Sequence, residues 1–200
     1  MIVFDIGANV GQDSKHYALD PLNIVYAFEP TPQLLQDHLI PFQKEYPNYL
    51  VIPKAITDYD GTIKFNIAGQ HDWGCSSIYE FNENLEQTWP GRTDFKKTEE
   101  IEVECTTMRT FILENKIKKI DYMHCDTQGN DLVVLESFGD CIDRLQSGKV
   151  EVCNKNPLYK NTKNNYKNVT NFLNSNGFVV KQVESNDPFN NELNITFIRL

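Results

Sequence analysis

Three acidic residues that close apolar runs are the positions in this chain best placed to do chemistry: Asp5, Glu29 and Asp126. Asp5 ends Ile2-Val3-Phe4 and opens the glycine loop Asp5-Ile6-Gly7-Ala8-Asn9-Val10-Gly11. Such a turn lets backbone N–H groups approach a ligand, while a carboxylate at the strand end can hold hydroxyls or a cationic group. Glu29 ends Ile24–Phe28 at the separation from the loop where nucleoside-binding α/β folds place an acid for ribose hydroxyls. The plain alternative for Glu29 is an ordinary loop acid. Asp126 ends a third run, Ile120–Cys125.

The loop discriminates among nucleotide-type ligands. A phosphate-binding loop needs Lys-Ser/Thr after its glycines, and Gly11 is followed here by Gln12-Asp13. A dinucleotide loop wants Gly-x-Gly-x-x-Gly against a pyrophosphate, which the carboxylate of Asp13 would oppose. S-adenosylmethionine carries an ammonium and a sulfonium and no phosphate, so it tolerates both acids. Asn9 stands where the common D/E-x-G-x-G-x-G loop has its middle glycine, and Asn enters the left-handed region readily.

Transfer of a methyl from such a ligand needs the acceptor atom in line with the methyl carbon and gains from a base that takes the acceptor's proton. Asp126 is the expected base or a metal ligand; its alternative is a helix cap. Gln128 is expected to orient the acceptor. His71, beside Asp72-Trp73-Gly74, is a second candidate base, and Ser76, Ser77, Trp73 and Trp89 are candidate acceptor contacts. Asp126, Asn130, Asp131 and Glu151 are oxygen donors of the kind that hold Mg²⁺, with solvated acids as the alternative. His124 is expected to pack in the core.

Together, Asp5–Gly11, Ala27-Phe28-Glu29-Pro30 and Asp126-Thr127-Gln128-Gly129-Asn130-Asp131 resemble the FkbM-type methyltransferases. Ala55-Ile56-Thr57-Asp58 followed by Gly61, and Cys105–Phe111 before Ile120-Asp121, add to the resemblance, which covers roughly residues 1–152. It implies a Rossmann-like methyltransferase sheet and transfer from S-adenosylmethionine to a hydroxyl of a sugar or other small metabolite. It also implies roles for Asp5, Gly7, Ala8, Asn9 and Gly11 on the methionine side, Glu29 on ribose, and Ala55 and Ile56 on adenine. Asp131 departs from the family's usual Glu. An N-methyltransferase is the alternative enzyme, and a nucleoside-binding module without catalysis the alternative from another class.

The elements that must position these residues read as α/β: a mostly parallel central sheet with an antiparallel end strand and helices on both faces. Strands are expected at Ile2–Ile6, Ile24–Phe28, Leu50–Ile56, Ile120–Cys125, Lys149–Val152, Phe178–Val183 and Ile195–Ile198. Helices are expected at Asp13–Leu19, from Pro32 behind Thr31 toward Tyr46, at Asn130–Phe138 and at Tyr166–Ser175. One domain is expected over residues 1–200, with a β and irregular insertion at about 58–107 in which Thr62–Ile67 pairs with Glu100–Thr106. Asn156–Asn165 reads as an exposed loop.

The chain has 28 acidic and 19 basic residues and a net charge of −9, so a nucleic-acid surface is not expected. No apolar stretch reaches the roughly 18–20 residues of a membrane span. Five cysteines without a CxxC pair read as thiols of a reducing compartment, giving a cytoplasmic expectation.

Overall fold

The computed structural model describes residues 1–69 and 74–200. Its strands are β1 (Ile2–Ile6), β2 (Ile24–Phe28), β3 (Tyr49–Ile52), β4 (Ala55–Ile56), β5 (Gly61–Ala68), β6 (Lys97–Thr106), β7 (Tyr122–Cys125), β8 (Ser147–Cys153), β9 (Phe178–Ser185) and β10 (Glu192–Arg199). Seven form the main sheet in the order β3-β2-β1-β7-β8-β10-β9. The first five of these run parallel, whereas β10 is antiparallel to both β8 and β9.

Strand order reverses between β1 and β7, which opens a crevice at their C-terminal ends, where open α/β sheets bind ligands. Asp5, Glu29 and Asp126 all lie at this edge because Asp5 is the next-to-last residue of β1 and the other two directly follow β2 and β7. The register places Asp5 opposite Ala27 on one side and His124 on the other.

Alternation along β1 divides the core. Phe4 and Ile6 join Phe28, Phe111, Met123 and Phe138 on one face of the sheet, while Val3 joins Val25, Leu39 and Tyr49 on the other. Both faces are covered, as a parallel sheet requires. Phe111, on the helix Met108–Glu114, sits 4.8 Å from Phe28 and 5.4 Å from Tyr26, ring to ring.

Prolines explain two departures from the expected elements. The run Leu50–Ile56 divides at Pro53, which has no N–H for a ladder; β3 stays in the main sheet, and β4 pairs with β6 in a second sheet ordered β4-β6-β5. The helix entered at Pro32 is α-helical over Pro32–Leu34, widens to a π turn over Leu35–Leu39, and resumes over Ile40–Glu45. Pro41 cannot donate to the carbonyl four residues back, so the ladder is interrupted there.

The expected Asp13–Leu19 helix is a 3-10 helix over Lys15–Leu19 only. The helix Asp131–Glu136 runs on after Gly139 as a 3-10 helix over Gly139–Arg144, whereas Tyr166–Ser175 is found at its expected bounds. Thr62 pairs with Glu104 across β5 and β6, in the antiparallel arrangement expected. Among the described residues no helix is long and apolar enough to cross a membrane.

Candidate active site

The glycine loop is built by close packing against its neighbours. The N–H groups of Gly7 and Ala8 both donate to the Phe28 carbonyl at 3.0 Å. Gly7, Asn9 and Gly11 take φ values of +82°, +49° and +78°, so Asn9 adopts the left-handed backbone expected of it. A Cβ on Gly7 would lie 1.9 Å from the Asp126 carbonyl oxygen, and one on Gly11 would lie 2.8 Å from the Tyr49 hydroxyl.

A cleft follows, lined by Gly7, Asn9, Glu29, Ala55, Ile56 and Asp126 among others. Glu29 is buried there, accepting from Asn9 N–H on Oε2 and from Thr31 N–H on Oε1, each at 2.8 Å. Burial raises its pKa against those hydrogen bonds. Each oxygen keeps a lone pair for a hydroxyl donor. Ile56 is tied to the far wall, its carbonyl accepting from Asn130 Nδ2 at 2.7 Å.

Two further acceptors in this lining, Asn9 Oδ1 and Thr127 Oγ1, are buried with no hydrogen-bond partner among the described residues. Buried polar atoms are normally satisfied, and a ligand ammonium would satisfy these. Acceptors for an ammonium, an acid for a diol and apolar walls at Ala55 and Ile56 match the donor set of S-adenosylmethionine.

Three of the expected cofactor residues are not among the cleft's lining. Asp5 Oδ1 lies 3.0 Å from His124 Nδ1 on β7, and its Oδ2 is buried with no hydrogen-bond partner among the described residues. Ala8 packs in the core with Val3 and Val25. Gly11 gives room to Tyr49, whose hydroxyl bonds Ser14 Oγ at 2.9 Å. His124 is buried as expected but is a partner in an ion pair rather than a simple packing residue. Burial disfavours its charged form, yet the Asp5 hydrogen bond and the charges of Asp5, Asp13 and Asp126 leave it more basic than usual.

Asp126 faces the cleft and is held by Gln128, whose Nε2 donates to Asp126 Oδ1 at 2.6 Å and lies 3.2 Å from Glu151 Oε2. Gln128 adopts φ +54° and is fixed from behind by the Tyr159 hydroxyl, 2.7 Å from its Oε1. Its side-chain amide is thus committed to Asp126, Glu151 and Tyr159. Tyr159 comes from the stretch read as an exposed loop; Leu158, Tyr159 and Asn164 are buried instead. The apolar pair Leu158-Tyr159 was the available signal, masked by the surrounding Asn and Lys residues.

Beyond Asp126 lies a second cavity of about 190 Å³ whose wall includes Trp89, Glu151, Asp187 and Glu192. Burial and the charges of Asp126, Glu192 and Asp131 push the Glu151 carboxyl well above the usual range. Glu192 is pushed up to about 8, chiefly by burial and then by Asp126, Asp187 and Asp131. Asp187 sits on the β9–β10 turn and Glu192 opens β10, where no motif marks them.

The four expected metal ligands do not converge. Asp131 is turned inward, accepting from Thr127 N–H and Asn164 Nδ2 at 2.8 Å each. Asn130 is committed to the Ile56 carbonyl and the Tyr79 hydroxyl. Among the described residues no group of three or more His, Cys, Asp or Glu is placed to hold a metal ion. His71 and Trp73 lie outside the described residues, while Ser76 and Ser77 are buried and bond the Ala68 and Gln128 carbonyls.

The methyltransferase FkbM domain matches residues 5–180. The chain belongs to the FkbM methyltransferase family. That span runs from Asp5 through β7 and β8 into β9, so it contains the cleft and most of the second cavity's wall. No curated protein matches the chain. Among solved structures, the fibrillarin/Nop5p complex is similar with a TM-score of 0.53 at 13% identity, over 100% of this chain and 72% of that one. Magnesium protoporphyrin IX methyltransferase from Synechocystis PCC 6803, with bound S-adenosylmethionine, gives 0.53 at 12% identity, over 99% and 69%. TrmK from M. capricolum, with S-adenosylhomocysteine, gives 0.51 at 12%, over 100% and 62%. At these identities the likeness is one of fold. FkbM membership and the Rossmann-like fold together support a S-adenosylmethionine-dependent methyltransferase.

Proposed function

We propose that this FkbM-family chain methylates a hydroxyl of a small, saccharide-like acceptor, with Asp126 as the general base. The observation that carries the reading is the place of Asp126 on the wall of both cavities, between the cofactor-type cleft and the second cavity. S-adenosylmethionine, when bound, supplies an electrophilic methyl on a sulfonium. Glu29 is the residue for the ribose diol, Asn9 and Thr127 offer acceptors to the ammonium, and Ala55 and Ile56 flank the adenine. Asp126 takes the acceptor's proton as the C–S bond breaks and the O–C bond forms. Gln128 keeps that carboxylate aimed.

The acidic surface argues against a nucleic-acid acceptor. Five free cysteines support a reducing, cytoplasmic setting. The test is release of S-adenosylhomocysteine from S-adenosylmethionine across a panel of glycans and hydroxylated metabolites, with the product's methyl located by NMR. Turnover with a new O-methyl supports the reading. Cofactor binding without turnover would favour a binding module, and an N-methyl product would favour nitrogen chemistry.

A further inference from the structure

The second cavity has a charge pattern that the transfer step does not need. Five carboxyl groups, Asp94, Asp126, Glu151, Asp187 and Glu192, share its wall with the guanidinium of Arg92. Arg92 Nε already donates to Asp94 Oδ1 at 2.8 Å, and a second nitrogen donates to Asp94 Oδ2. Glu151 takes donors from Gln128 and Asn186. Asp187 takes the N–H groups of Phe189, Asn191 and Glu192, at 2.8, 2.7 and 2.8 Å. These donors apart from Arg92 are neutral, so among the described residues the carboxyl groups outnumber the cations around this cavity.

A second observation points to a ligand with an acceptor atom. Trp89 is 2% exposed and forms part of the same wall. Its indole N–H has no hydrogen-bond partner among the described residues, and an indole nitrogen can only donate. Removing such a donor from water without a partner is costly, and a ligand hydroxyl or ether oxygen would complete it. Buried carboxyl groups crowded together resist ionising, so a cation on the ligand is what lets Glu192 ionise against it, and the indole calls for an oxygen.

We propose that the acceptor is a hydroxylated organic cation, an amino sugar or amino alcohol, whose ammonium sits against Glu192 and Asp187 and whose oxygen accepts from Trp89 Nε1. The inference rests on the methyltransferase reading of the adjoining cleft. Its ammonium anchors the molecule, and the reacting hydroxyl is the one left facing Asp126. A phosphorylated or carboxylated acceptor is repelled by the same wall.

The test uses the full chain at pH 7, with and without saturating S-adenosylhomocysteine. Saturation-transfer NMR follows glucosamine, galactosamine and 2-amino-1,3-propanediol beside the N-acetylated form of each and the neutral parents glucose, galactose and glycerol. The expected result is that cationic members bind about tenfold more tightly than their neutral partners, and that Glu192→Gln removes that preference. Trp89→Phe is expected to weaken cationic and neutral members alike. Equal or tighter binding of the neutral forms, no binding by any cationic member, or an unchanged preference in Glu192→Gln overturns the proposal. Failure of S-adenosylhomocysteine itself to bind counts against the cleft assignment, and the panel run without it still reads the charge preference.

Discussion

Gly7 and Asp126 are locked backbone to backbone: a single added carbon on Gly7 would lie 1.9 Å from the Asp126 carbonyl oxygen. The loop expected to hold the methyl donor and the strand end expected to hold the base are therefore set by one contact. Gly7→Ala must distort that contact while also forcing a left-handed φ of +82° on a residue with a Cβ. The expected loss is roughly 2–5 kcal/mol of folding stability, read from urea unfolding. A fully stable Gly7→Ala would show that β1 and β7 can separate without cost. The larger Gly7→Val is for the same reason a folding variant.

Asp126→Asn tests the base. The amide keeps the shape of the carboxylate and can still accept from Gln128 Nε2, so affinity for S-adenosylhomocysteine is expected to stay within about twofold. Turnover is expected to fall about 10²–10⁴-fold, measured as homocysteine released from the product by a coupled assay. Normal turnover would take the base role from Asp126.

Phe111 tests the packing beneath the cleft. It is 7% exposed and its ring meets Phe4, Tyr26 and Phe28 edge-on. Phe111→Ala should cost about 3–5 kcal/mol, seen as a lower urea midpoint with an unchanged slope. A loss below about 1 kcal/mol would mean that the helix Met108–Glu114 contributes little to this core.

Asp131 gives the stability a pH dependence. Burial, then the charge of Asp126, pushes its pKa up to about 7 from an ordinary value of 3.8. A carboxyl whose folded pKa is raised contributes stability that is complete below the unfolded pKa and is lost as pH rises through the folded one. Wild-type stability relative to Asp131→Asn should therefore decline between about pH 4 and pH 7, by roughly 2–4 kcal/mol. Urea unfolding of both chains across that range reads the difference. A flat difference would mean that Asp131 stays charged without penalty.

Most of what was legible in the sequence lay in contiguous stretches. The apolar runs before Asp5, Glu29 and Asp126 gave β1, β2 and β7, and the loop's composition gave Asn9 its left-handed turn. What escaped depends on contacts between distant stretches. Asp5 reads as a ligand contact, and only the pairing of β1 with β7 shows His124 3.0 Å from its Oδ1. Asn130 and Asp131 read as cation donors until the fold turns one to Ile56 and the other to Thr127 and Asn164. Asp187 and Glu192 carry no local pattern and Tyr159 only its apolar pairing with Leu158, and the closing of residues 156–165 and of the β9–β10 turn against Gln128 and Glu151 makes them part of a wall.

The most direct measurement of the central claim is calorimetric titration of S-adenosylhomocysteine into the full chain and into Glu29→Gln. Glu29 Oε2 accepts from Asn9 and Oε1 from Thr31, and an amide can keep only one of those bonds while losing its charge-assisted pairing with a ribose diol. One-to-one binding to the wild type, weakened about tenfold or more in Glu29→Gln, is the predicted result. Absence of binding to the wild type, or equal affinity in the two chains, would contradict the assignment of this cleft to the methyl donor.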